Sequence, residues 1–177
     1  MSKKLYITLT FLLSGVLILI WYSSLGGFTD PKIERVDKRA VQLVGKSYKG
    51  LSTSKEIGVL MDDIRKHIKE KSLEGDLIVV YFGNPDQEEP IEVFVGAEGS
   101  TSTIPPINGF YNKTIEAGKV ARATINSYSV VAPNPNKVNE MLKKSLEGSN
   151  LKPSGIYMER YISKKEIWTE VYLTEVL

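Results

Sequence analysis

The sequence contains no cysteine and only one histidine, His67. Without cysteine, the chain has no thiol nucleophile, no cysteine-ligated metal and no lipid-modified cysteine. A single histidine cannot build a Ser-His-Asp triad or a histidine-rich zinc site. We therefore predict no metal and no cofactor. His67 itself lies in a segment with helical periodicity, and we expect it on the helix surface.

The chain also lacks an excess of charge of either sign in its main part. It has 23 basic and 21 acidic residues, and the two extra positive charges are accounted for by Lys3 and Lys4. A neutral domain lacks the basic surface that binds phosphate backbones. There is no helix-turn-helix pattern either, so we expect no nucleic-acid partner.

Charged residues are absent from Leu5 to Thr29, and residues 5–22 are almost wholly apolar. A helix of that length approaches the roughly 20 residues needed to cross a bilayer. Trp21 and Tyr22 at its end are typical of the aromatic belt at a membrane interface. The alternative is a cleaved signal peptide, but residues 23–27 (SSLGG) offer only a weak cleavage site. The pattern favours an uncleaved anchor over residues 1–24, followed by a linker over 25–31.

The positive charges that flank the apolar run predict its orientation. Lys3 and Lys4 precede the run, and positive charge remains on the cytoplasmic side. The basic residues of KIERVDKR (32–39) oppose this weakly, because they flank the other end. We expect a single-pass protein with a cytoplasmic N-terminus and an extracytoplasmic globular domain over residues 32–177.

The globular part contains an internal duplication: the same order of elements occurs in two halves, at about 32–98 and 108–177. In each half an extended segment precedes an amphipathic helix and a strand hairpin. The fold class is therefore α+β, a duplicated β-α-β-β unit with a pseudo-twofold axis and a central cleft, preceded by one transmembrane helix. Residues 96–109, rich in glycine and hydroxyls, are the predicted linker between the halves.

The alignment of the two halves sets Tyr81 against Tyr161. It then places Glu92 opposite Glu170 and Phe94 opposite Tyr172. Val79 of the first half takes the position of Glu159 in the second, so the fold accepts an apolar side chain there. The carboxylate of Glu159 is therefore a specialisation of one half.

The stretch SGIYMERYIS (154–163) predicts a strand with Glu159 between two tyrosines, Tyr157 and Tyr161. These three side chains share one face, because successive side chains of a strand point to opposite sides. We expect this face to line the cleft, with Ile156 and Met158 turned toward a helix. A carboxylate framed by phenol rings attracts a cation by charge and by the ring faces. The alternative is that Arg160, Lys164 or a nearby tyrosine hydroxyl satisfies Glu159 at a solvated edge of the sheet.

Three further residues are candidate ligand contacts. Trp168 and Glu170 alternate on the last strand, which we expect to pair with the strand of Glu159. Tyr48 lies in a predicted strand of the first half. Because aromatic residues favour strands in any case, packing is the alternative for the aromatics. Glu170 ranks below Glu159, since its match with Glu92 indicates a structural or solvated role.

The order of several soft motifs resembles a known family. The motifs are LVGKSYKG (43–50), LIVVYFGNP (77–85), GKVARA (118–123), SGIYMERYIS (154–163) and TEVYL (169–173). In this order they resemble the GyrI-like effector-binding domains, the drug-sensing half of bacterial multidrug-responsive transcription regulators. The resemblance covers roughly residues 32–177. It implies a duplicated β-α-β-β fold with a central aromatic cleft for small, often cationic and hydrophobic, molecules, and it implies that Glu159 lies in that cleft.

Some relatives implied by this resemblance are similar to hydrolases of electrophilic toxins that use the same carboxylate. The predicted function is therefore a membrane-tethered binding module for small hydrophobic, in some cases cationic, molecules. The alternatives are a hydrolase that uses Glu159 and a structural or partner-binding envelope protein. The missing DNA-binding segment and the anchor argue against transcription regulation and against gyrase inhibition in the cytoplasm.

Overall fold

The computed structural model describes residues 3–99, 109–128 and 130–176, and residues 4–6 by their backbone alone. Residues 100–108 of the predicted linker lie outside the described residues. Residues 96–98, which we assigned to this linker, instead complete a strand. The described chain folds as three helices and eight strands, an α+β architecture.

The first helix, α1 (Lys3–Ser24), contains the apolar run. Its segment Ile7–Ser24 spans 18 residues with a mean hydropathy of 1.8, and none of it is buried by the rest of the protein. By length and composition this helix can cross a membrane. A helix of 18 residues is about 27 Å long, close to the thickness of a hydrocarbon core.

The remaining elements follow the predicted positions, with one exception. They are β1 (Lys32–Lys38), β2 (Val41–Gly50), α2 (Lys55–Lys69), β3 (Leu77–Phe82), β4 (Ile91–Glu98), β5 (Tyr111–Ile115), β6 (Gly118–Asn126), α3 (Pro135–Lys144), β7 (Leu151–Tyr161) and β8 (Glu166–Glu175). The exception is that two strands, not one, precede each of α2 and α3. Extended propensity continues across the breaks at Arg39–Ala40 and Glu116–Ala117, so sequence pattern alone did not divide these segments.

All eight strands form one antiparallel sheet in the order β1-β6-β8-β7-β3-β4-β2-β5. Strands β1 and β2 are joined by only two residues, yet six steps separate them in this order. In a flat sheet those steps would span roughly 29 Å, whereas three extended peptide units reach about 11 Å. The sheet must therefore curl until its two ends approach each other.

Both α2 and α3 pack on the same face of the curled sheet. Ile57 and Ile64 of α2 join a buried cluster with Val79 and Val95. Val138 and Leu142 of α3 join another with Tyr157. Because Val79 pairs with Glu159 and Tyr81 with Tyr157, these clusters belong to one face. We call it the helix face.

Among the described residues, the buried cluster on the opposite face consists of strand residues. It includes Phe94, Ile78, Val120 and Met158, and partly buried Ile156 packs against it. The prediction that Ile156 and Met158 turn toward a helix is therefore wrong. The physical reason is the curl of the sheet, which brings strands from both halves over this face and leaves the other face to the helices.

The register of the strands corrects one part of the alignment of the halves. Tyr81 pairs with Val93 in the first hairpin, and Tyr161 pairs with Ile167 in the second. If Tyr81 is equivalent to Tyr161, then Glu92 corresponds to Glu166. The matches of Glu92 with Glu170 and of Phe94 with Tyr172 are wrong, because the second hairpin is shorter than we assumed.

Candidate functional site

Glu159 lies in the middle of the sheet, on the helix face. It is on β7, between Val79 of β3 and Thr169 of β8. Tyr157 and Tyr161 share its face, as the alternation of the strand predicts. A bulge in the pairing of β7 with β8 falls between Pro153 and Tyr157 and leaves the register from 157 to 161 regular. The site is therefore built on continuous strand and not on a loop.

Two tyrosines of the helix face are neighbours of Glu159 in the sheet. The Tyr161 hydroxyl donates a hydrogen bond of 2.8 Å to Glu159 Oε2. Tyr81 lies on the neighbouring strand, and the charge of Glu159 contributes to an upward shift of the Tyr81 pKa. Burial is the main cause of the raised pKa of both phenols. Both rings therefore stay neutral at physiological pH, and both can donate a hydrogen bond.

Burial also raises the pKa of Glu159, and the hydrogen bond from Tyr161 opposes part of that shift. The side chain is half-buried and has no basic partner within salt-bridge distance in the described part of the chain. Its neighbour Arg160 points to the other face, where it binds Asp76 at 2.9 Å and also Glu98. The alternative that Arg160 satisfies Glu159 is therefore wrong. The part of that alternative in which a tyrosine hydroxyl bonds Glu159 is confirmed by Tyr161.

A cavity of about 300 Å³ opens beside Glu159. Its floor includes Glu159 and Thr169, and its walls include Tyr161 and Ile167. The loop that leads into α3, from Ala132 to Asn134, forms the outer wall together with the first turn of the helix. The lining is mainly apolar, and its polar side chains are one carboxyl group, one phenol, one aliphatic hydroxyl and the amide of Asn134. This is the composition expected for a small-molecule site.

A second cavity, of about 440 Å³, adjoins the first. Tyr161 and Ile167 line both of them, so these two side chains form a shared wall. The second cavity extends toward the C-terminal part of α2, where Arg65 and Lys69 contribute positive charge. The Arg65 guanidinium lies 5.8 Å from the centre of the Tyr161 ring.

The predicted site residues divide between the two faces of the sheet. Tyr157 shares the face of Glu159, but it is only 5% exposed and packs under α3 in the core. Tyr48 is also on the helix face, half-buried against the α2 core, and it lines neither of these two cavities. Only Glu159 and Tyr161 of the six predicted residues line the cavity described first.

Trp168 and Glu170 lie on the opposite face, because their neighbours on β7 are Arg160 and Met158. Glu170 has no exposed surface. It accepts a hydrogen bond from Lys38 Nζ and another of 2.8 Å from Arg122 Nε. The expectation that Glu170 and Trp168 share a site with Glu159 is therefore wrong. Glu170 belongs to a buried ionic cluster between β1, β6 and β8.

Three features of the site were missed in the sequence. Tyr81 was matched to Tyr161 but was not proposed as a contact. The Ala132–Pro135 wall carries no distinctive local pattern, and Thr169 was not proposed as a contact. The alternation of Thr169 with Ile167 on β8 is a detectable signal, because it places both beside Tyr161 and Glu159 once the hairpin register is known.

His67 is less exposed than predicted. Its Nδ1 lies 2.8 Å from Ser72 Oγ, and its ring meets Phe110 edge-on at 5.0 Å between centroids. It is therefore a packing residue at the end of α2, on a different side of that helix from the cavities. Within the described ranges, no group of three or more His, Asp or Glu side chains is arranged to hold a metal ion.

No protein-family model and no curated protein matches the chain. Solved structures match its fold. EcmrR in a DNA complex has a TM-score of 0.62 and 10% identity, covering 98% of this chain and 69% of that one. SAV2435 bound to tetraphenylphosphonium has a TM-score of 0.56 and 11% identity, covering 81% and 94%. A hydrolase from Listeria innocua has a TM-score of 0.54 and 8% identity, covering 87% and 98%.

These likenesses define the class of fold. The α+β arrangement with a single antiparallel sheet fits the GyrI-like effector-binding fold, with an N-terminal apolar helix added. At such low identity the likeness concerns the fold alone.

Proposed function

We propose that this protein is a membrane-tethered binding module for small hydrophobic cations, and that it belongs to the GyrI-like effector-binding family. The observation that carries the proposal is the half-buried carboxyl group of Glu159, which lines a mainly apolar cavity and, among the described residues, accepts a side-chain hydrogen bond from the Tyr161 phenol and has no basic partner. A buried carboxylate without a cationic partner has a raised pKa because its charge is poorly solvated. A cation that enters the cavity supplies the missing counter-charge.

The surroundings of Glu159 favour a large, soft cation over a metal ion. The Tyr161 ring and the apolar residues Ile125, Val138 and Ile167 line the same cavity. Ring faces attract a delocalised cation by about 0.5–2 kcal/mol each, and apolar walls favour its aromatic substituents. SAV2435, which shares the fold, binds tetraphenylphosphonium, a cation of this type.

The sheet supports the proposed duplication. The strand order is symmetric: replacing each strand of β1–β4 by its counterpart in β5–β8, and the reverse, gives the same order when the sheet is read from its other end. The pair Val79–Glu159 lies near the centre of the β3–β7 ladder, with Leu77–Tyr161 and Tyr81–Tyr157 on its two sides. A pseudo-twofold axis beside Glu159 accounts for both observations. In this arrangement the ligand cleft is the space between α2 and α3.

The apolar helix α1 supports the proposed tether. We propose that it spans the membrane once, with Lys3 and Lys4 in the cytoplasm and the domain outside. The full-length chain should stay with the membrane after extraction by high salt or alkaline carbonate. A mature protein that begins near Gly26 or Gly27 in a soluble fraction would show that the segment is a signal peptide.

The binding function is tested with two aromatic phosphorus compounds, one charged and one neutral. Tetraphenylphosphonium is a hydrophobic cation, and triphenylphosphine oxide is a neutral aromatic compound. We expect the full-length protein in detergent to show a larger rise of Tm with the cation than with the neutral compound, because ligands that bind only the native state stabilise it. Absence of a rise with the cation would contradict the proposal.

A hydrolase is the second candidate, and the hydrogen bond between Tyr161 and Glu159 favours it. A carboxyl group with a raised pKa can act as base or nucleophile, and a neutral phenol can donate a proton to a leaving oxygen. Conversion of an aromatic epoxide to its diol by the parent protein, but not by Glu159→Gln, would favour this candidate over simple binding.

A further inference from the structure

The chain that leaves α1 folds back onto the globular domain. The turn at 25–28 is closed by a hydrogen bond of 3.1 Å from the Gly27 amide to the Tyr22 carbonyl oxygen. The Tyr128 amide donates one of 3.0 Å to the Leu25 carbonyl oxygen. Gly26 has a φ of +84°, and a Cβ there would lie 2.6 Å from the Asn126 carbonyl oxygen. The end of the apolar helix and the segment after β6 therefore form one packed unit.

Side chains fix the same contact. The rings of Tyr22 and Phe28 meet edge-on with centroids 4.9 Å apart, so Phe28 lies level with the last turn of α1. A cavity of about 300 Å³ separates this turn from the loop before α3 and is lined by Tyr22, Phe28, Ala132 and Pro133. Asp30 and Lys137 contribute one charge of each sign to its rim.

Large apolar side chains around this contact are exposed. Trp21 is 60% exposed, Phe28 64% and Val130 73%. Trp21 belongs to the apolar helix itself, and Val130 lies two residues after Tyr128, whose amide is bonded to Leu25. We call the surface formed by Trp21, Phe28 and Val130 the anchor face. Phe28 and Val130 thus place exposed apolar side chains of the domain near the end of the apolar helix.

The anchor face adjoins the wall of the Glu159 cavity. Ala132 and Pro133 line both the cavity behind Tyr22 and the cavity beside Glu159. Whatever surrounds the end of α1 is therefore separated from the candidate ligand site by a single loop. Lys137 on α3 is exposed next to this loop, and Lys165 lies 4.8 Å from the centre of the Tyr128 ring.

We propose that the anchor face rests in the interfacial region of the lipid bilayer, so that the loop wall of the Glu159 cavity faces the membrane and the cavity takes amphiphilic cations that partition into lipid. This inference rests on the proposed tether and on the proposed ligand site. The occupant of the face is lipid because the face is continuous with a helix of membrane-spanning length. Aromatic residues at the end of such a helix favour the membrane–water interface.

The small size of the anchor face is sufficient for this role. A free protein with three exposed apolar side chains would bind a bilayer weakly. Here α1 holds the domain at the membrane, so docking is intramolecular and has a high effective concentration. The packed turn at 25–28 also fixes the direction in which the domain leaves the helix, which removes part of the orientational cost of docking.

The absence of cysteine allows a direct test with single labels. Val130→Cys and Val59→Cys are matched variants, because the parent side chains are 73% and 67% exposed and Val59 lies on the solvent side of α2. Each full-length variant is labelled with nitrobenzoxadiazole and reconstituted in phosphatidylcholine–phosphatidylglycerol vesicles, with or without doxyl-labelled lipid. We expect the doxyl lipid to quench the label at 130 several-fold more than the label at 59.

Equal quenching at the two positions, whether strong or weak, would overturn the inference. The same labelled proteins are tested for tetraphenylphosphonium binding in detergent. Equal quenching with intact binding would reject the docking alone. Selective quenching at 130 without any binding would support the docking and reject the proposed ligand function. A third outcome concerns a second copy of the chain. If the protein dimerises in detergent and shields the label at 130, and if doxyl lipid does not quench that label, then the anchor face is a dimer interface. This outcome would also reject the inference.

Discussion

The substitution Glu159→Gln removes the charge at the centre of the candidate site and leaves its shape unchanged. The Tyr161 hydroxyl can still donate its hydrogen bond, because the side-chain amide oxygen of the variant occupies the position of Glu159 Oε2. The variant therefore isolates the electrostatic contribution to binding. It creates no void beside Val79, the buried neighbour on β3.

The expected loss follows from the surroundings of the carboxyl group. Interactions with a charged partner contribute about 1–3 kcal/mol in proteins, and Glu159 has no competing basic side chain within salt-bridge distance in the described ranges. We expect the affinity for tetraphenylphosphonium to fall roughly 5- to 150-fold, since about 1.4 kcal/mol is a factor of ten. Binding should not vanish, because the Tyr161 ring and the apolar walls remain.

Isothermal titration calorimetry of the full-length protein in detergent measures this loss. Glu88→Gln is the matched control, since Glu88 is an exposed acid in the β3–β4 turn and its substitution changes the net charge equally. Triphenylphosphine oxide should bind parent and variant with nearly equal affinity. If Glu159→Gln binds the cation as tightly as Glu88→Gln does, then Glu159 is not the recognition residue.

Three further predictions concern stability. Burial raises the pKa of Glu159 above its ordinary 4.5, so the carboxyl group binds its proton more tightly in the folded state. The protonated carboxyl group therefore contributes most to stability at low pH, and this contribution is lost as the pH rises through the folded-state pKa. Urea unfolding of the ligand-free protein should therefore show Glu159→Gln gaining stability relative to the parent as pH rises from about 4 to 8. Glu170→Gln removes the partner of buried Lys38 and should cost about 3–5 kcal/mol, or roughly 6–20 °C in Tm, without changing the cation affinity of the folded protein. Gly45→Ala should destabilise the protein by about 1–3 kcal/mol, because its Cβ would clash with the Val95 carbonyl oxygen. Gly58→Ala, with open space around its Cβ in helix α2, should stabilise the protein by about 1 kcal/mol.

Each of these stability predictions has an outcome that contradicts it. A stability difference between parent and Glu159→Gln that is constant with pH would mean that the pKa of Glu159 does not change on folding. Loss of cation affinity in folded Glu170→Gln would contradict the prediction, because it would mean that the ionic cluster on one face affects the ligand site on the other. Equal effects of Gly45→Ala and Gly58→Ala, measured by thermal unfolding, would show that the backbone contact of β2 with β4 is not tight.

The candidate site could be predicted in part, because its central residues are local in sequence. The alternation of Tyr157, Glu159 and Tyr161 fixes their common face without knowledge of the tertiary structure. The alternation on β8 could not show that Glu170 faces away from Glu159, because this depends on which residues of the two strands are paired. A one-residue change of register would reverse it. The pairing of Met158 with Glu170 decides the matter.

The burial of the two tyrosines beside Glu159 could not be predicted from the sequence either. A tyrosine on a strand is compatible with packing and with ligand contact, and the sequence pattern of Tyr157 resembles that of Tyr161. Helix α3 covers Tyr157, while the gap between α2 and α3 leaves Tyr161 beside two cavities. The positions of the helices over the sheet therefore separate the two tyrosines.

By itself the sequence determined the apolar N-terminal helix, the alternation of helices and strands, and the face that Glu159 shares with its tyrosines. These features depend on composition and on periodicities of 3.6 and 2 residues, which are local properties. Only the tertiary structure decided that β1 and β2 are separate strands six positions apart in one sheet, that both α2 and α3 lie on the face of Glu159, and that Glu170 is paired with Lys38 and Arg122 on the other face. The physical reason is that pairing between distant strands, and the curl of the sheet it imposes, depend on contacts far apart in sequence.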